Sequence, residues 1–149
     1  MFVAAALEHI TVPAVRVTGR TSLAEAVMAM TAANSEAALV IEDDRCQGLV
    51  TATDLLRTLA LAPTAEQGWR IEVAQAVSGD IPQAIAGDRL AAVIALMTGA
   101  GRDYLLLVTD QGPAVLSLVK LLKFDNGLLR RELDHLQTYI EALHDAPND

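Results

Sequence analysis

A chain of 149 residues, 52% of them apolar, can bury a core of its own, as one domain or as two small fused ones. Its 19 acidic residues against 11 basic ones leave a net charge of -8, which argues against nucleic acid or an anionic membrane surface as a main partner, because polyanions are repelled at long range. No apolar run approaches the ~20 residues a helix needs to cross a bilayer, and the single cysteine, Cys46, allows neither an intrachain disulfide nor a thiolate-rich metal site.

The chain opens Met1-Phe2-Val3 with no basic stretch ahead of a long apolar run, so it does not read as a secretory signal and a cytoplasmic protein is expected. Val15 to Val17 forms a short leading strand. Ser22 and Leu23 then open a helical pattern with Val27 and Met30 on one face, Ser22 serving as N-cap, Glu25 following three residues on and Asn34 stopping the helix. Ala37 to Ile41 is an apolar strand ending before Asp43, Gly48 to Thr51 resumes after a polar turn, and a second helix starts near Thr51 or Ala52. Leu61 to Gly68 carries the Pro, Gly and polar residues of a linker.

The series then repeats. Gln83 to Ile85 leads, Arg89-Leu90 opens a helix with Ile94 and Met97, Tyr104 to Val108 ends before Asp110, and Ala114 to Ser117 follows. The offset between the halves is 67 residues up to the second turn and 66 after it, which reads as one residue lost from a hairpin tip. Halves of about 65 residues are too small to stand alone and should pack together. From Asn126 onward Leu129, Leu133, Leu136, Ile140 and Leu143 recur at three- and four-residue steps, with Arg130, Arg131, Glu132, Asp134 and Glu141 on the other side, an amphipathic helix outside the repeat. The expected division is a first repeat with the N-terminal segment over 1–62, a linker over 63–70, a second repeat over 71–125, and a C-terminal helix and tail over 126–149.

The residues that bear most on chemistry run from Gly48 to Leu56. A strand that delivers Thr51 to the first turn of a helix sets its hydroxyl beside unpaired N–H groups and the positive end of the helix dipole, which is an anion site. Asp54, one turn up on the same face, can accept from a vicinal diol such as a ribose. The same spacing also reads as a capping box in which Asp54 reaches back to Thr51. Cys46, in the acidic turn after Asp43-Asp44-Arg45, reads as an unreactive thiol, Trp69 as a cap on the core edge, and Met28, Met30 and Met97 as core filling. Glu132 and His135 have the spacing of half a di-iron site, but no second Glu-x-x-His completes it, and no metal site is expected. No nucleophile, base and orienting group converge and no glycine-rich phosphate loop occurs, so no catalytic residue is assigned and an enzyme is not expected.

The repeat, with Val15, Val17, Ser22 to Ala26, Met30, Val40, Asp43 and Gly48-x-x-Thr51-x-x-Asp54-Leu55, resembles a tandem pair of CBS domains, a Bateman module, over about residues 10 to 125. The resemblance implies an α/β (α+β) fold of two β-α-β-β-α repeats packed through their sheets about a pseudo-two-fold axis. It implies two clefts that in many members bind adenosine-containing ligands, with Thr51 at the phosphate, Asp54 on the ribose and Gly48 of the same motif counted among the ligand-binding residues. Arg102, ahead of a second-half strand, stands where members often place a basic residue that reaches the other half's ligand. A solvated loop arginine next to Asp103 fits that position as well. The second half departs from the motif: Ala114 replaces the glycine, Ser117 keeps the hydroxyl, and Lys120 stands in place of the ribose-binding acid, so Lys120 is expected to face solvent or pair with a carboxylate.

Together these readings describe a regulatory module with no resident cofactor, binding an adenosine nucleotide (AMP, ADP or ATP) in the first cleft through Gly48, Thr51, Asp54 and Arg102 and signalling to a partner. The alternative is an assembly module that acts through protein contacts with its clefts empty. In either case a homodimer or larger homo-oligomer is expected, because Ala26, Ala29, Ala33, Ala91, Ala92 and Ala95 let helices approach closely and the C-terminal stripe needs a cover, from a second copy or, as the alternative, from its own module.

Overall fold

The computed structural model describes residues 1–79 and 81–145. In chain order, α1 (Leu7–Ile10) and β1 (Thr11–Val12) precede the first repeat, which comprises β2 (Val15–Val17), α2 (Leu23–Ala32), β3 (Ala37–Glu42), β4 (Arg45–Thr51) and α3 (Ala52–Leu61). A short helix α4 (Ala65–Trp69) follows, and then β5 (Gln83–Ile85), α5 (Leu90–Ala100), β6 (Tyr104–Thr109), β7 (Gly112–Ser117) and α6 (Leu118–His144). The leading strands fall where the sequence placed them. Ser22 caps α2 by accepting from the Glu25 N–H, and Asn34, at a φ of 51°, turns the chain out of it.

Each half forms its own small sheet, ordered β2-β3-β4 in the first and β1-β7-β6-β5 in the second. Alternation along the strands sends successive side chains to opposite faces. Ala38, Val40 and Val50 pack with Leu23, Ala26 and Met30 under the first pair of helices. Leu105, Leu107 and Leu116 do the same with Leu90, Val93, Met97 and Leu121 in the second. The other faces meet each other, Ala37, Leu39 and Leu49 against Leu106 and Val115, and this shared apolar seam joins the halves.

The expected boundaries are crossed by the packing. The N-terminal segment, assigned above to the first repeat, builds the second: β1 pairs with β7, and Val3, Ala6 and Ile10 are fully buried in the second core. Conversely, Val73 and Ala76, assigned to the second repeat, are buried in the first core. The exchange is symmetric down to single hydrogen bonds. The orphan N–H of Leu23 at the start of α2 donates to the Ile71 carbonyl at 2.9 Å, and that of Leu90 at the start of α5 donates to the Met1 carbonyl at 2.9 Å. Each half thus borrows a segment that precedes the repeat unit in sequence, which no periodicity count could reveal.

Three further expectations are corrected. The residue missing from the second half is not lost from its turn, since both hairpins close with two-residue loops, Glu42 pairing with Arg45 and Thr109 with Gly112. The extra residue is Gln47, in a β-bulge where Ile41 pairs with Cys46 but Val40 pairs with Gly48. Asp43 and Asp44, at φ of 48° and 61°, form the tight turn that suits a hairpin's twist. The expected linker holds α4, capped by Thr64 and packed so closely that a Cβ on Gly68 would lie 2.4 Å from Leu59 Cδ1. Finally, the C-terminal helix does not begin at Asn126. It is continuous with the last helix of the repeat from Leu118, because Leu118, Leu121 and Phe124 anchor its first turns in the second core. Residues 146–149 of the expected tail lie outside the described residues.

Candidate functional site

β4 ends at Thr51, whose extended backbone makes it the N-cap of α3. Its Oγ1 accepts from the Asp54 N–H at 3.3 Å, and Asp54 Oδ2 accepts in return from the Thr51 N–H at 2.9 Å and from the Thr51 hydroxyl at 3.0 Å. The capping box is therefore present. It engages one carboxylate oxygen only. The other, Oδ1, lies 3.6 Å from Arg57 Nη1, and while the Asp54 side chain is only 3% exposed, that of Arg57 is 60% exposed. Capping thus holds a buried carboxylate in place with one oxygen turned toward a movable cation.

Across from this corner, α5 ends at Gly101 in the left-handed conformation, and the chain turns through Arg102 and Asp103 into Tyr104 at the head of β6. The two corners enclose a cleft of about 140 Å³ lined by Thr51, Asp54, Arg57, Ile81, Arg102 and Tyr104 among others. Of the four residues expected at a ligand, the structure brings Thr51, Asp54 and Arg102 around this one space. Gly48 does not line it. Its Cα faces Val77, and a Cβ there would sit 2.7 Å from Val77 Cγ1, so the glycine permits the close approach of a neighbouring segment.

Arg102 Nη2 donates to Ser78 Oγ at 3.0 Å, which holds the guanidinium against the segment borrowed by the first half. The Tyr104 hydroxyl donates to Glu36. Burial, then that hydrogen bond, then the negative charges of Glu36 and Asp103 push the Tyr104 phenol up to about 12, so it remains a proton donor at neutral pH. Arg57, Tyr104 and the apolar Ile81 are among the cleft residues that sequence reasoning missed. Arg57 was available from helix spacing, three residues beyond Asp54, whereas Tyr104 was read only as the start of a strand.

In the second half Ser117 caps α6 by accepting from the Lys120 N–H. Lys120 is exposed, as expected, and it reaches no carboxylate: its Nζ donates to the Thr11 carbonyl at 3.0 Å. The pairing of β1 with β7 brings that carbonyl within reach. Cys46 is half-buried with its Sγ 3.5 Å from the Gly48 carbonyl, and His9 stacks on Phe124. Met30 and Met97 are buried, but Met28 is 72% exposed and is not part of the core. A larger groove of about 400 Å³ runs between α2, α3 and α4, lined mainly by apolar side chains such as Leu23, Met30, Leu55 and Trp69. It lacks a cation for a phosphate; the smaller, charged cleft gathers Thr51, Asp54 and Arg102 and is the candidate site. Among the described residues no group of three or more His, Cys, Asp and Glu side chains converges, and no helix is long and apolar enough to cross a membrane.

Two α/β repeats that share a seam and exchange their leading segments, with a hydroxyl and an acid at the start of a helix facing a cleft between them, define a paired module. The CBS-domain family model matches residues 6–61, and the chain as a whole folds as a tandem CBS-domain pair. No curated protein matches the sequence. Among solved structures, a CBS-domain-containing protein of Agrobacterium tumefaciens superposes with a TM-score of 0.71 at 20% identity, over 84% of this chain and 99% of that one. A CBS-domain pair/ACT-domain protein of Thermotoga maritima gives 0.60 at 20% identity, over 87% and 99%. The CBS-domain pair of the protein MJ0100, in complex with 5′-methylthioadenosine and S-adenosylmethionine, gives 0.68 at 13% identity, over 85% and 97%.

Proposed function

We propose that this module is a regulatory sensor that binds an adenosine nucleotide in the first cleft and passes the signal to a partner protein. The observation that carries the proposal is the meeting of Thr51, Asp54 and Arg102 around one space, although they come from different halves of the chain. Asp54 Oδ1 is the acceptor for the ribose hydroxyls. Thr51 and the first turn of α3 receive the phosphate, and Arg102 neutralises its charge. The Arg57 guanidinium is exposed and stands 3.6 Å from Oδ1, beyond hydrogen-bond distance, so a ribose hydroxyl can take its place beside Asp54. At about 140 Å³ the cleft is smaller than the roughly 300 Å³ at which small-molecule sites begin, and entry of a nucleotide requires the Arg57 side chain to swing outward. The adenosine ligands of the MJ0100 pair support this ligand class.

A thermal-shift panel of adenosine, AMP, ADP and ATP on the purified protein tests the reading. A ligand at 100 times its dissociation constant adds about 2.7 kcal/mol to stability, an easily measured rise in melting temperature. No shift with any member of the panel removes the sensor reading.

The second reading, an assembly module acting with empty clefts, draws on a different observation. Met28, Leu56 and Leu61 on α2 and α3, and a row of leucines on α6, are exposed by 44% or more. Under either reading we take the working unit to be a homodimer, since apolar surface of this extent calls for a cover.

A further inference from the structure

The continuity of α6 from Leu118 to His144 extends the apolar stripe well beyond the five residues visible in the sequence pattern. Spacings of four and three alternate without a break from Val119 to Leu143, a strict seven-residue repeat over three and a half heptads, where a helix packed on a globular core follows 3.6. Leucine fills all four d positions, 122, 129, 136 and 143. The a positions are Val119, Asn126, Leu133 and Ile140. The apolar members of both sets are 44% to 65% exposed, and Asn126 is exposed among them. The helix is anchored through another face, by Leu118, Leu121 and Phe124, so this seam is left uncovered along about 36 Å at 1.5 Å per residue.

We propose that α6 pairs with α6 of a second copy as a parallel, in-register two-stranded coiled coil. The inference rests on the homodimer reading above and specifies its geometry. β-Branched residues at a with leucine at d favour two strands, and one asparagine at an a position selects register. In the parallel arrangement Asn126 meets Asn126 of the copy, and their amides bond each other. An antiparallel arrangement sets Asn126 in a different layer against an apolar side chain and leaves its amide unpaired. The flanking charges agree. Asp125 occupies a g position and Arg130 the following e position, so each Asp125 faces Arg130 of the other chain on both sides of a parallel dimer. Gly127 lies at an outer b position, away from the seam. The stretch beyond Leu128 has no cover from its own module, every residue from 129 to 145 being exposed, so its helical state depends on such pairing.

Sedimentation equilibrium on the 149-residue protein tests the pairing through Leu133→Glu combined with Ile140→Glu. Both positions lie outside the folded body, and the expected result is a dissociation constant raised by about a hundredfold or more. Orientation is tested by Leu143→Cys in a Cys46→Ser background. A parallel pair sets the new thiols within disulfide reach and yields a cross-linked dimer on mild oxidation, whereas an antiparallel pair centred near Leu133 separates them by roughly 30 Å. Asp125→Arg should weaken the dimer and Asp125→Arg with Arg130→Asp should restore it. A dimer unaffected by the two glutamates overturns the coiled coil and leaves the homodimer reading standing. A monomeric native protein at tens of micromolar overturns both, and a helix-dependent dimer without the cross-link overturns the parallel arrangement.

Discussion

The phenol of Tyr104, at the head of β6 in one sheet, donates its proton to the carboxylate of Glu36, just ahead of β3 in the other. The two residues stand at neighbouring points of the repeat, one in each half, so their bond ties the halves across the pseudo-two-fold at the rim of the cleft. It also makes the tie sensitive to alkali. The Tyr104 phenol is raised from 10 to about 12 in the folded protein, so its contribution to stability is fully present below pH 10 and is lost as pH rises through 12. Urea unfolding at about pH 9 and about pH 11 should show a decline that Tyr104→Phe makes shallower. An equal decline in the variant assigns the alkaline loss to other groups.

Asp54 serves two purposes that separate by substitution. Asp54→Ala removes the reciprocal half of the capping box, leaving the Thr51 N–H and hydroxyl without their acceptor, and should cost about 1 to 3 kcal/mol of stability. It should also weaken the nucleotide roughly ten- to a hundredfold through loss of charge-assisted bonds. Asp54→Asn retains an oxygen for the Thr51 N–H and should recover most of the stability but little of the affinity. Calorimetry with AMP, paired with urea melts, distinguishes them. An affinity that tracks stability across both variants confines Asp54 to capping.

Arg102 is placed to meet the charged end of a ligand. Arg102→Ala should weaken AMP by about tenfold while leaving adenosine within about twofold, as expected for a charge-assisted contact to phosphate. Titration of both ligands against both proteins gives the answer. Equal losses for adenosine and AMP would point instead to a general slackening of the loop held by Ser78.

Gly48 was expected at the ligand and the structure sets it against Val77. Gly48→Ala forces a Cβ to within 2.7 Å of Val77 Cγ1 and should destabilise by about 1 to 3 kcal/mol, the usual range for overpacking. Combining it with Val77→Ala should recover part of the loss. Since Gly48 does not line the cleft, nucleotide affinity measured well below the melting temperature should stay within about twofold of the native value.

Local signals in the sequence determined much of this protein. The strands at Val15 and Gln83, the Ser22 cap with its stop at Asn34, and the capping geometry of Thr51 with Asp54 all depend on residues within one turn or one strand of each other, where propensity, periodicity and hydrogen bonding act directly. The repeat itself was legible because both halves solve the same packing problem with the same pattern. Tertiary structure decided what lies between distant residues. The exchange of leading segments depends on which carbonyl reaches the orphan N–H groups of Leu23 and Leu90, a matter of chain path. The position of the extra residue at Gln47 depends on strand register, to which hydrophobic alternation is blind once a bulge absorbs the shift. Arg102 and Tyr104 join Thr51 and Asp54 because a seam of Leu39, Leu49, Leu106 and Val115 presses the two sheets together. The cleft is a property of that seam, and its charges face one another only once the apolar surfaces on either side have been buried.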